Sequence, residues 1–323
     1  MPDQLIRLRN MQLVQLKTPE DYVAKSQITQ FVSTNDNIGN YMPVLAIQEM
    51  LGEETDCWNI HRTIDWDFVN ANYRFAVIGG AGLLHKTFTN FWSEFAMHCT
   101  VPYVIWGVGI CEVDGQAEPT FCSPEIAGPV FAKALAVNVR DERTAGLYAG
   151  GGLGADGHAN AEAPARSDID ISECPTVFYL RTFETTPESN RATLAMHPDL
   201  VSDADHEQAR KTLQDAGFQV QVTDNVQTAE HGLVEIIETD YAKSALVVTS
   251  RLHGAITAYG LGIPYIAIAG DEKLREFVRL YGRGELVNSV SQLPEALERI
   301  KPVDGRPPFA QIEAFGKRVS ALA

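Results

Sequence analysis

The order in which apolar and amphipathic segments alternate is the feature that most restricts how this chain can fold. From Ile28 onward, short runs of β-branched and aromatic residues are followed by longer amphipathic stretches. This alternation is typical of parallel sheets whose strands are joined by crossover helices, and the apolar runs read as strands buried on both faces. The strands predicted in this way are Ile28–Ser33, Arg74–Ile78, Tyr103–Trp106, Ala136–Val139, Thr176–Leu180, Gln219–Thr223, Ala245–Val248 and Tyr265–Ile268.

The amphipathic stretches between these runs predict the helices, including a last one after Pro308. The segment Gly150–Glu173 is rich in Gly, Ala and Asp and has no apolar period, which indicates an interdomain linker or a mobile loop. We therefore expect an α/β protein of two Rossmann-like domains with parallel sheets, over residues 1–165 and 166–323. The other predicted helices follow Asn40, span Thr89–Cys99, begin near Ser123, and span Arg143–Ala149, Asp203–Ala216, Leu233–Lys243, Ala255–Leu261 and Leu274–Leu280.

The charge balance restricts the partners of the chain. The 323 residues are 45% hydrophobic and carry 42 Asp and Glu against 26 Lys and Arg, a net charge of −16. Such a balance repels phosphate polymers and anionic lipid, so neither nucleic acid nor a membrane surface is expected as a partner. A small anionic substrate would require arginines gathered locally against this field.

The cysteines and the amino terminus indicate in which cellular compartment the protein is expected. The five cysteines are widely spread without a C-x-x-C pair, which predicts reduced thiols and no zinc site. The first residues lack the apolar region of a secretory signal. The longest apolar run, Val101 to Cys111, is far shorter than a membrane span of about 20 residues. We therefore expect a cytoplasmic protein without a membrane span.

The strongest local motif is Ser250-Arg251-Leu252-His253-Gly254, which follows a predicted strand. Ligands of open α/β sheets bind at the carboxyl ends of strands. If the chain stays extended to His253, the side chains of Arg251 and His253 point to one side and Leu252 points into the core. Gly254 would let a ligand approach the backbone, and the amides of the following helix favour an anion. Each residue alone also fits a structural role, but together they indicate an anion site.

Two loops of the first half are further candidates for binding. Gly80 and Gly82 follow a predicted strand and permit close backbone approach, although tight turns also use glycine and the pattern is not G-x-G-x-x-G. Asp36 and Asn37 lie in a polar loop after the first strand. Such loops are typical of carbohydrate recognition, and equally of turns and helix caps.

Arg181 ends the predicted strand Thr176–Leu180, so we expect it to reach the same crevice as Arg251. The segment Arg140-Asp141-Glu142-Arg143 favours an ion-paired structural corner instead. The histidine spacing fits no metal motif, and neither a nucleophile elbow nor a Walker loop is present. No metal and no cofactor are expected.

Taken in order, these motifs resemble those of the polysaccharide pyruvyl transferase family from about Asn35 to Tyr281. Its most specific piece is the segment from Ser250 to Gly254. The other matching pieces are Asn37-Ile38-Gly39-Asn40, Gly79-Gly80-Ala81-Gly82-Leu83-Leu84, Val104-Ile105-Trp106-Gly107-Val108-Gly109, Val139-Arg140-Asp141-Glu142 and Leu261-Gly262-Ile263-Pro264.

The resemblance implies a GT-B-like fold with the active site in the interdomain cleft. It also implies transfer of the enolpyruvyl group of phosphoenolpyruvate onto a sugar of a polysaccharide or its precursor, as a pyruvate ketal with release of phosphate. Arg251 and His253 match the residues that bind or activate the donor, and Arg181 matches less securely. The second domain would hold phosphoenolpyruvate and the first a saccharide acceptor, free or lipid-linked. Asn40 stands where the family usually has aspartate.

The chemistry assigns roles to these residues. Arg251 and Arg181 would bind the carboxylate and phosphate, and His253 would protonate the donor, with its pKa raised by the bound anions. Asp36 is the expected base for the acceptor, with Glu272 as the second choice. The remaining predicted substrate-binding residues are Ser250, Leu252, Gly254, Asn37, Gly80 and Gly82.

Two other functions remain open at this point. One is a nucleotide-sugar glycosyltransferase of the same fold, in which Arg251 would bind a diphosphate. The other is a non-catalytic sugar-binding or assembly protein, which the departure at Asn40 favours. The sequence determines neither the sugar, the pair of hydroxyls, the ketal stereochemistry nor the oligomeric state.

Overall fold

Two β-sheets, both built mainly from parallel strands, organise the chain. The computed structural model describes residues 5–9, 12–15, 23–33, 36–149 and 168–323. The first sheet has eight strands in the order β2-β1-β4-β3-β5-β6-β7-β8, and only β1 pairs antiparallel, with β2 and β4. Its strands are β1 Leu5–Arg9, β2 Gln12–Gln15, β3 Ile28–Val32, β4 Asp56–Asn59, β5 Phe75–Gly79, β6 Tyr103–Val108, β7 Val137–Val139 and β8 Ile169–Ile171.

The second sheet is parallel throughout. Its five strands follow the order β10-β9-β11-β12-β13, so the central β11 pairs with β9 on one side and β12 on the other. The strands are β9 Glu188–Ala195, β10 Gln219–Val222, β11 Ser244–Thr249, β12 Tyr265–Ile268 and β13 Gly284–Val287.

Helices connect the strands, and polar residues cap several of them. Asn37 accepts a hydrogen bond from the backbone N–H of Gly39 at the start of the first helix, and Asp271 caps a later one. In the described part of the chain, no helix is long and apolar enough to cross a membrane. The helices are α1 Ile38–Leu51, α2 Trp66–Asn72, α3 Thr89–His98, α4 Pro124–Lys133, α5 Glu142–Tyr148, α6 Thr176–Leu180, α7 Asp203–Asp215, α8 Leu233–Glu235 with a π-helical continuation Ile236–Tyr241, α9 Leu252–Leu261, α10 Glu272–Tyr281, α11 Leu293–Arg299 and α12 Ala310–Ser320.

Apolar packing joins the two halves of the molecule. One buried cluster contains residues of both, with Tyr41 of α1 and Ile256 of α9 among its members. The last helix, α12, packs back on the first sheet, where the rings of Phe315 and Trp106 lie 5.1 Å apart. The two sheets are therefore held as neighbours, with their carboxyl ends facing one space.

The predicted α/β class with two parallel sheets is confirmed. The strand predicted at Thr176–Leu180 is wrong, because these residues form the buried helix α6. A short apolar run is compatible with either a buried strand or a buried helix, and Pro175 cannot donate a ladder hydrogen bond. The strand at Gln219–Val222 exists, but it lies at a sheet edge and is partly exposed rather than buried on both faces.

The expected linker is only partly described. Residues 150–167, which make up most of it, lie outside the described residues. The end of the expected linker is not a linker, because Ile169–Ile171 is strand β8 and pairs with β7. The first sheet thus extends past residue 165, and the division of the chain at 165 and 166 stays a prediction.

Candidate active site between the two sheets

A cavity of about 300 Å³ lies between the two sheets. The first half of the chain lines it with loops that follow β3, β5, β6 and β7, and the second half with loops that follow β9, β10, β11 and β12. All of these loops leave the carboxyl ends of parallel strands, the position at which open α/β sheets bind ligands. The cavity is therefore the candidate active site.

Arg251 and His253 both line this cavity, but by a route that differs from the predicted one. The chain is extended only as far as Arg251, with φ −99° and ψ 131°, and helix α9 begins at Leu252. The Arg251 guanidinium is anchored where its Nε donates to the carbonyl of Met196 at 3.1 Å. The expected extended stretch to His253 is thus wrong, and the first turn of α9 brings the two side chains together.

The imidazole of His253 packs against the first turn of α1, on the other half of the molecule. A Cβ added at Gly39 would lie 2.8 Å from the Cβ of His253 and closer still to its ring. Only a residue without a side chain leaves room for this approach. The absence of a side chain at Gly39, in the Asn37-Ile38-Gly39 motif, therefore leaves the space that the imidazole occupies beside the cavity.

The protein groups around His253 keep it neutral. Its Nε2 is buried and has no hydrogen-bond partner among the described residues. Burial, followed by the charges of Arg140, Lys273 and Arg251, lowers the pKa of His253 to about 3. The predicted rise in this pKa considered only a bound anion, whereas the surrounding cations act in the opposite direction. A bound anion that offset those cations would act against this shift and raise the pKa of His253.

Arg140 is a second cation in the cavity. The predicted ion-paired corner is present, since the Nε of Arg140 lies 3.6 Å from the Oδ2 of Asp141, but the sequence did not indicate that Arg140 also lines the cavity. Arg140 is 5% exposed, and its Nη2 donates to the carbonyl of Ile110 at 2.9 Å. A Cβ at Gly109 would lie 2.9 Å from the Arg140 Cδ, so this glycine gives the side chain its space. The neighbouring Asp141 caps helix α5, since it accepts a hydrogen bond from the N–H of Thr144.

Lys273 is the third cation. Its ammonium donates to Asp271 at 2.9 Å and to the Cys111 thiol at 3.0 Å. Burial favours a lower pKa for Lys273, but the Asp271 carboxylate and Cys111 outweigh it and raise the pKa above the ordinary value. Lys273 is therefore charged at neutral pH. Asp271, the carboxylate among the described lining residues, is already engaged with Lys273 and with the start of α10.

The cavity is therefore positive in a protein that is negative overall. Arg140, Arg251 and Lys273 line it together with one carboxylate, Asp271, and Asp141 lies behind the lining with its Oδ2 3.6 Å from the Nε of Arg140, so the cations still outnumber the acids there, while the whole chain carries −16. In a partly desolvated cavity these charges interact more strongly with a ligand than they would in water. The arrangement favours a small, multiply charged anion.

Arg181 does not line the cavity. It follows α6, and its guanidinium makes a bidentate ion pair with Glu49 of α1, at 2.9 and 2.5 Å. It also stacks on the ring of Phe178, 3.6 Å from the centroid. The prediction that Arg181 reaches the crevice is therefore wrong, because it depended on a strand at Thr176–Leu180.

The two carboxylates considered as bases also lie elsewhere. Asp36 is exposed and does not line the cavity. Glu272 pairs with Arg275 at 3.2 Å, outside the lining. The structure brings neither carboxylate to the cavity, and Asn40, which occupies the position of the family aspartate, does line it.

Of the three predicted glycines, one lines the cavity and the other two allow neighbouring groups to pack closely. Gly82 lines the cavity. Gly80 has φ +72°, and a Cβ there would lie 2.7 Å from Pro43. At Gly254 a Cβ would lie 2.9 Å from the Cβ of Thr249, so this residue faces its own strand rather than a ligand.

The remaining predicted residues, Ser250, Leu252 and Asn37, line the cavity. Ser250 accepts a hydrogen bond from the N–H of His197 at 2.7 Å. Its hydroxyl thereby ties the loop after β11 to the loop after β9. The three residues are thus part of the cavity wall and also hold its backbone in place.

The sequence reasoning missed several lining residues, among them Lys273, Asp271 and Asn225. Each follows the carboxyl end of a predicted strand within a few residues, and that position was the available signal. No group of three or more His, Cys, Asp or Glu residues that could hold a metal occurs in the described part of the chain.

Comparisons with known proteins agree with this geometry. The family model described as polysaccharide pyruvyl transferase matches residues 37–272. No curated protein matches the chain.

Solved structures show the fold. A UDP-GlcNAc 2-epimerase from Methanocaldococcus jannaschii is 11% identical with a TM-score of 0.53, covering 92% of this chain and 99% of its own. A putative UDP-N-acetylglucosamine 2-epimerase from Listeria monocytogenes is 11% identical with a TM-score of 0.55, covering 91% and 96%. A functionally uncharacterized protein from Klebsiella pneumoniae is 13% identical with a TM-score of 0.52, covering 81% and 92%. The fold is GT-B-like, as predicted.

Proposed function

The chain belongs to the polysaccharide pyruvyl transferase family, and we propose that it transfers the enolpyruvyl group of phosphoenolpyruvate onto a saccharide as a pyruvate ketal. Phosphate is released in this reaction. The observation that carries the proposal is the convergence of Arg140, Arg251 and Lys273 around the unpartnered Nε2 of His253.

The donor matches the charge of the cavity. Phosphoenolpyruvate is a small molecule with a carboxylate and a phosphate, and guanidinium and ammonium groups give both of them charge-assisted hydrogen bonds. The ten-residue helix α9 begins at Leu252 in the cavity wall, so its N-terminal dipole adds to the attraction. The acidic exterior explains why only such a local site would hold an anion.

Donor binding prepares the acid. The three cations that lower the pKa of His253 are the groups an anion would neutralise, so binding raises this pKa and promotes uptake of a proton. His253 is then placed to act as the general acid toward C3 of the donor. The presence of the substrate therefore favours the charged form of the acid.

The reaction proceeds by addition and elimination at C2. His253 gives its proton to C3, which leaves C2 electron-poor, and a sugar hydroxyl adds its oxygen to C2 and loses its proton. The bond from C2 to the phosphate oxygen then breaks, and phosphate leaves with the electron pair. A neighbouring hydroxyl adds to C2 and loses its proton, closing the ketal. One hydroxyl proton restores His253 and the other remains on phosphate.

The acceptor requires a base other than Asp36 or Glu272. His85 and His197 line the cavity, and burial followed by nearby positive charges lowers the pKa of each. Both are therefore neutral at pH 7 and able to accept a proton. We assign the acceptor side to His85 and Asn40, because they belong to the first half of the chain together with Asn37.

The test is incubation of the protein with phosphoenolpyruvate and a panel of saccharides, followed by mass spectrometry. The expected product gains the mass of pyruvic acid less one water, with stoichiometric phosphate. Arg251→Ala is the matched control and should form no product. Sugar transfer from a nucleotide-sugar donor, without any product from phosphoenolpyruvate, would contradict the proposal.

A further inference from the structure

Asn225 occupies a position that a turn alone does not explain. It follows β10, is 0% exposed and has φ +61°, a backbone conformation that Asn and Gly tolerate better than other residues. Its carbonyl accepts the backbone N–H of Ile38 at 2.9 Å, at the start of α1. The next residue, Val226, pairs with Asn37. Glycine would serve this backbone equally well, so the side chain has a further role.

The orientation of the Asn225 amide is set by one neighbour. Its Oδ1 accepts a hydrogen bond from the hydroxyl of Tyr241 at 2.6 Å. Burial raises the pKa of Tyr241 well above its ordinary value, so the hydroxyl keeps the proton that it donates. Because Oδ1 is engaged, Nδ2 is the free end of the amide.

The free end of the amide, Nδ2, is buried without a hydrogen-bond partner among the described residues, and Asn225 lines the cavity. A buried amide donor left unpaired destabilises the folded protein, because it loses its hydrogen bond to water without gaining another. A donor kept at that cost beside a substrate cavity indicates that the substrate is its partner.

Asn225 lies on the same wall as Arg251. Both belong to the second half of the chain, and Arg251 lies close enough to Tyr241 for its charge to oppose the effect of burial on the tyrosine. Tyr241 is therefore hydrogen-bonded to the amide and lies within electrostatic range of the guanidinium. Both residues line the cavity and carry N–H donors.

We propose that Nδ2 of Asn225 donates a hydrogen bond to an anionic oxygen of the donor substrate that Arg251 binds. This inference rests on the proposed function, since it assigns one more residue to the binding of phosphoenolpyruvate. Asn225 is then a substrate-binding residue that the family motifs do not contain. The backbone of Asn225 joins the two halves of the chain, and its side chain binds the ligand.

The experiment is isothermal titration calorimetry of phosphoenolpyruvate against the wild type, Asn225→Asp and Asn225→Gly. Aspartate keeps the shape, the acceptor for Tyr241 and the tolerance of positive φ, but replaces the donor by a negative oxygen. We expect its affinity to fall by about 100-fold. Glycine keeps the backbone and should lose about tenfold, as expected for one hydrogen bond to a charged group. Asn288→Asp, at an exposed position, is the charge control and should bind normally.

The outcomes separate this inference from the function on which it rests. Wild-type binding together with undiminished binding by Asn225→Asp would overturn the role of Asn225 alone. No binding by the wild type would overturn the proposed function, and this inference with it. Titration with inorganic phosphate identifies the contact. If the variants lose affinity for inorganic phosphate as they do for phosphoenolpyruvate, the contact is to the phosphate group. If they lose affinity for phosphoenolpyruvate alone, the contact is to the carboxylate. Both results support the inference.

Discussion

Residues 176–181 and 246–251 share a sequence pattern, a mostly apolar run that ends in arginine, and differ in structure and in what the arginine contacts. The second run lies in β11, which is hydrogen-bonded to a parallel strand on each side, and Arg251 lines the cavity. The first run is the buried helix α6, and Arg181 pairs with Glu49. The role of each arginine thus follows from the neighbours of the run rather than from the run itself.

Helix α1 contacts both regions, which makes the comparison testable along one element. Gly39 in its first turn abuts His253, and Glu49 near its end pairs with Arg181. If the comparison is correct, changes at the first contact alter ligand binding and catalysis. Changes at the second contact alter only the stability of the protein, and the effect is small.

The largest difference is expected between the two arginines. Arg251→Ala should weaken phosphoenolpyruvate binding by about 100-fold or more, because it removes a charge-assisted contact in a partly buried cavity. Arg181→Ala should change it by less than about twofold, since its partner is a partly exposed glutamate. Calorimetric titration of both variants measures this, and equal losses would break the comparison.

The next effect concerns the space that Gly39 leaves for His253. Gly39→Ala should destabilise the protein by about 1–3 kcal/mol through overpacking and slow ketal formation by about tenfold. Gly146→Ala is the matched control, because Gly146 lies in helix α5 with no atom near an added Cβ. It should be neutral, or stabilising by up to about 1 kcal/mol. Urea unfolding measures the stability of both variants, and product formation measures their rate of ketal formation. Unchanged stability and rate in Gly39→Ala would refute the steric role of Gly39.

The pH dependence of stability tests the buried imidazole. The folded protein lowers the pKa of His253 to about 3, below the unfolded value of about 6.5. Its contribution to stability is complete above the unfolded value and is lost as the pH falls, by up to about 1.4 kcal/mol for each pH unit.

His253→Gln should therefore lose less stability than the wild type between pH 7 and pH 5 in urea unfolding. The wild type and His253→Gln share the other histidines with lowered pKa values, so the effects of those histidines on stability cancel in the comparison. The exposed His98→Gln is the control and should follow the wild type. Identical losses in wild type and His253→Gln would show that the imidazole is not buried in its neutral form.

The smallest effect is expected for the ion pair between Glu49 and Arg181. Its side chains are 39% and 28% exposed, so a double-mutant cycle with Glu49→Gln and Arg181→Gln should give a coupling of about 1 kcal/mol or less. Phosphoenolpyruvate affinity should not change in either variant. A coupling several times larger, or a loss of affinity, would mean that this region supports the cavity after all.

Much of the fold could be predicted because burial imposes its pattern locally. The runs at Ile28–Val32 and Tyr265–Ile268 are apolar throughout, as expected for strands covered on both faces. The edge strand β13 was missed because its partial burial leaves no such pattern. The run at Thr176–Leu180 was misassigned because five apolar residues fit a buried helix equally well.

The candidate site was only partly accessible to the same reasoning. Arg251 and His253 belong to one short motif that follows a predicted strand, and both line the cavity. Arg140, Lys273 and Asn225 follow three different strands, Lys273 in the first turn of α10, and their convergence depends on how the sheets face each other. No local pattern contains that information.

The order of residues thus established the two-sheet α/β architecture, the family and the arginine and histidine pair, because apolar periodicity and short motifs are properties of neighbouring positions. Tertiary packing decided the rest. It paired Arg181 with Glu49, gathered three cations in a chain of net charge −16, and placed Gly39 against the ring whose pKa those cations lower. Electrostatic and steric effects of this kind depend on distances between residues far apart in the chain, and only the folded protein determines those distances.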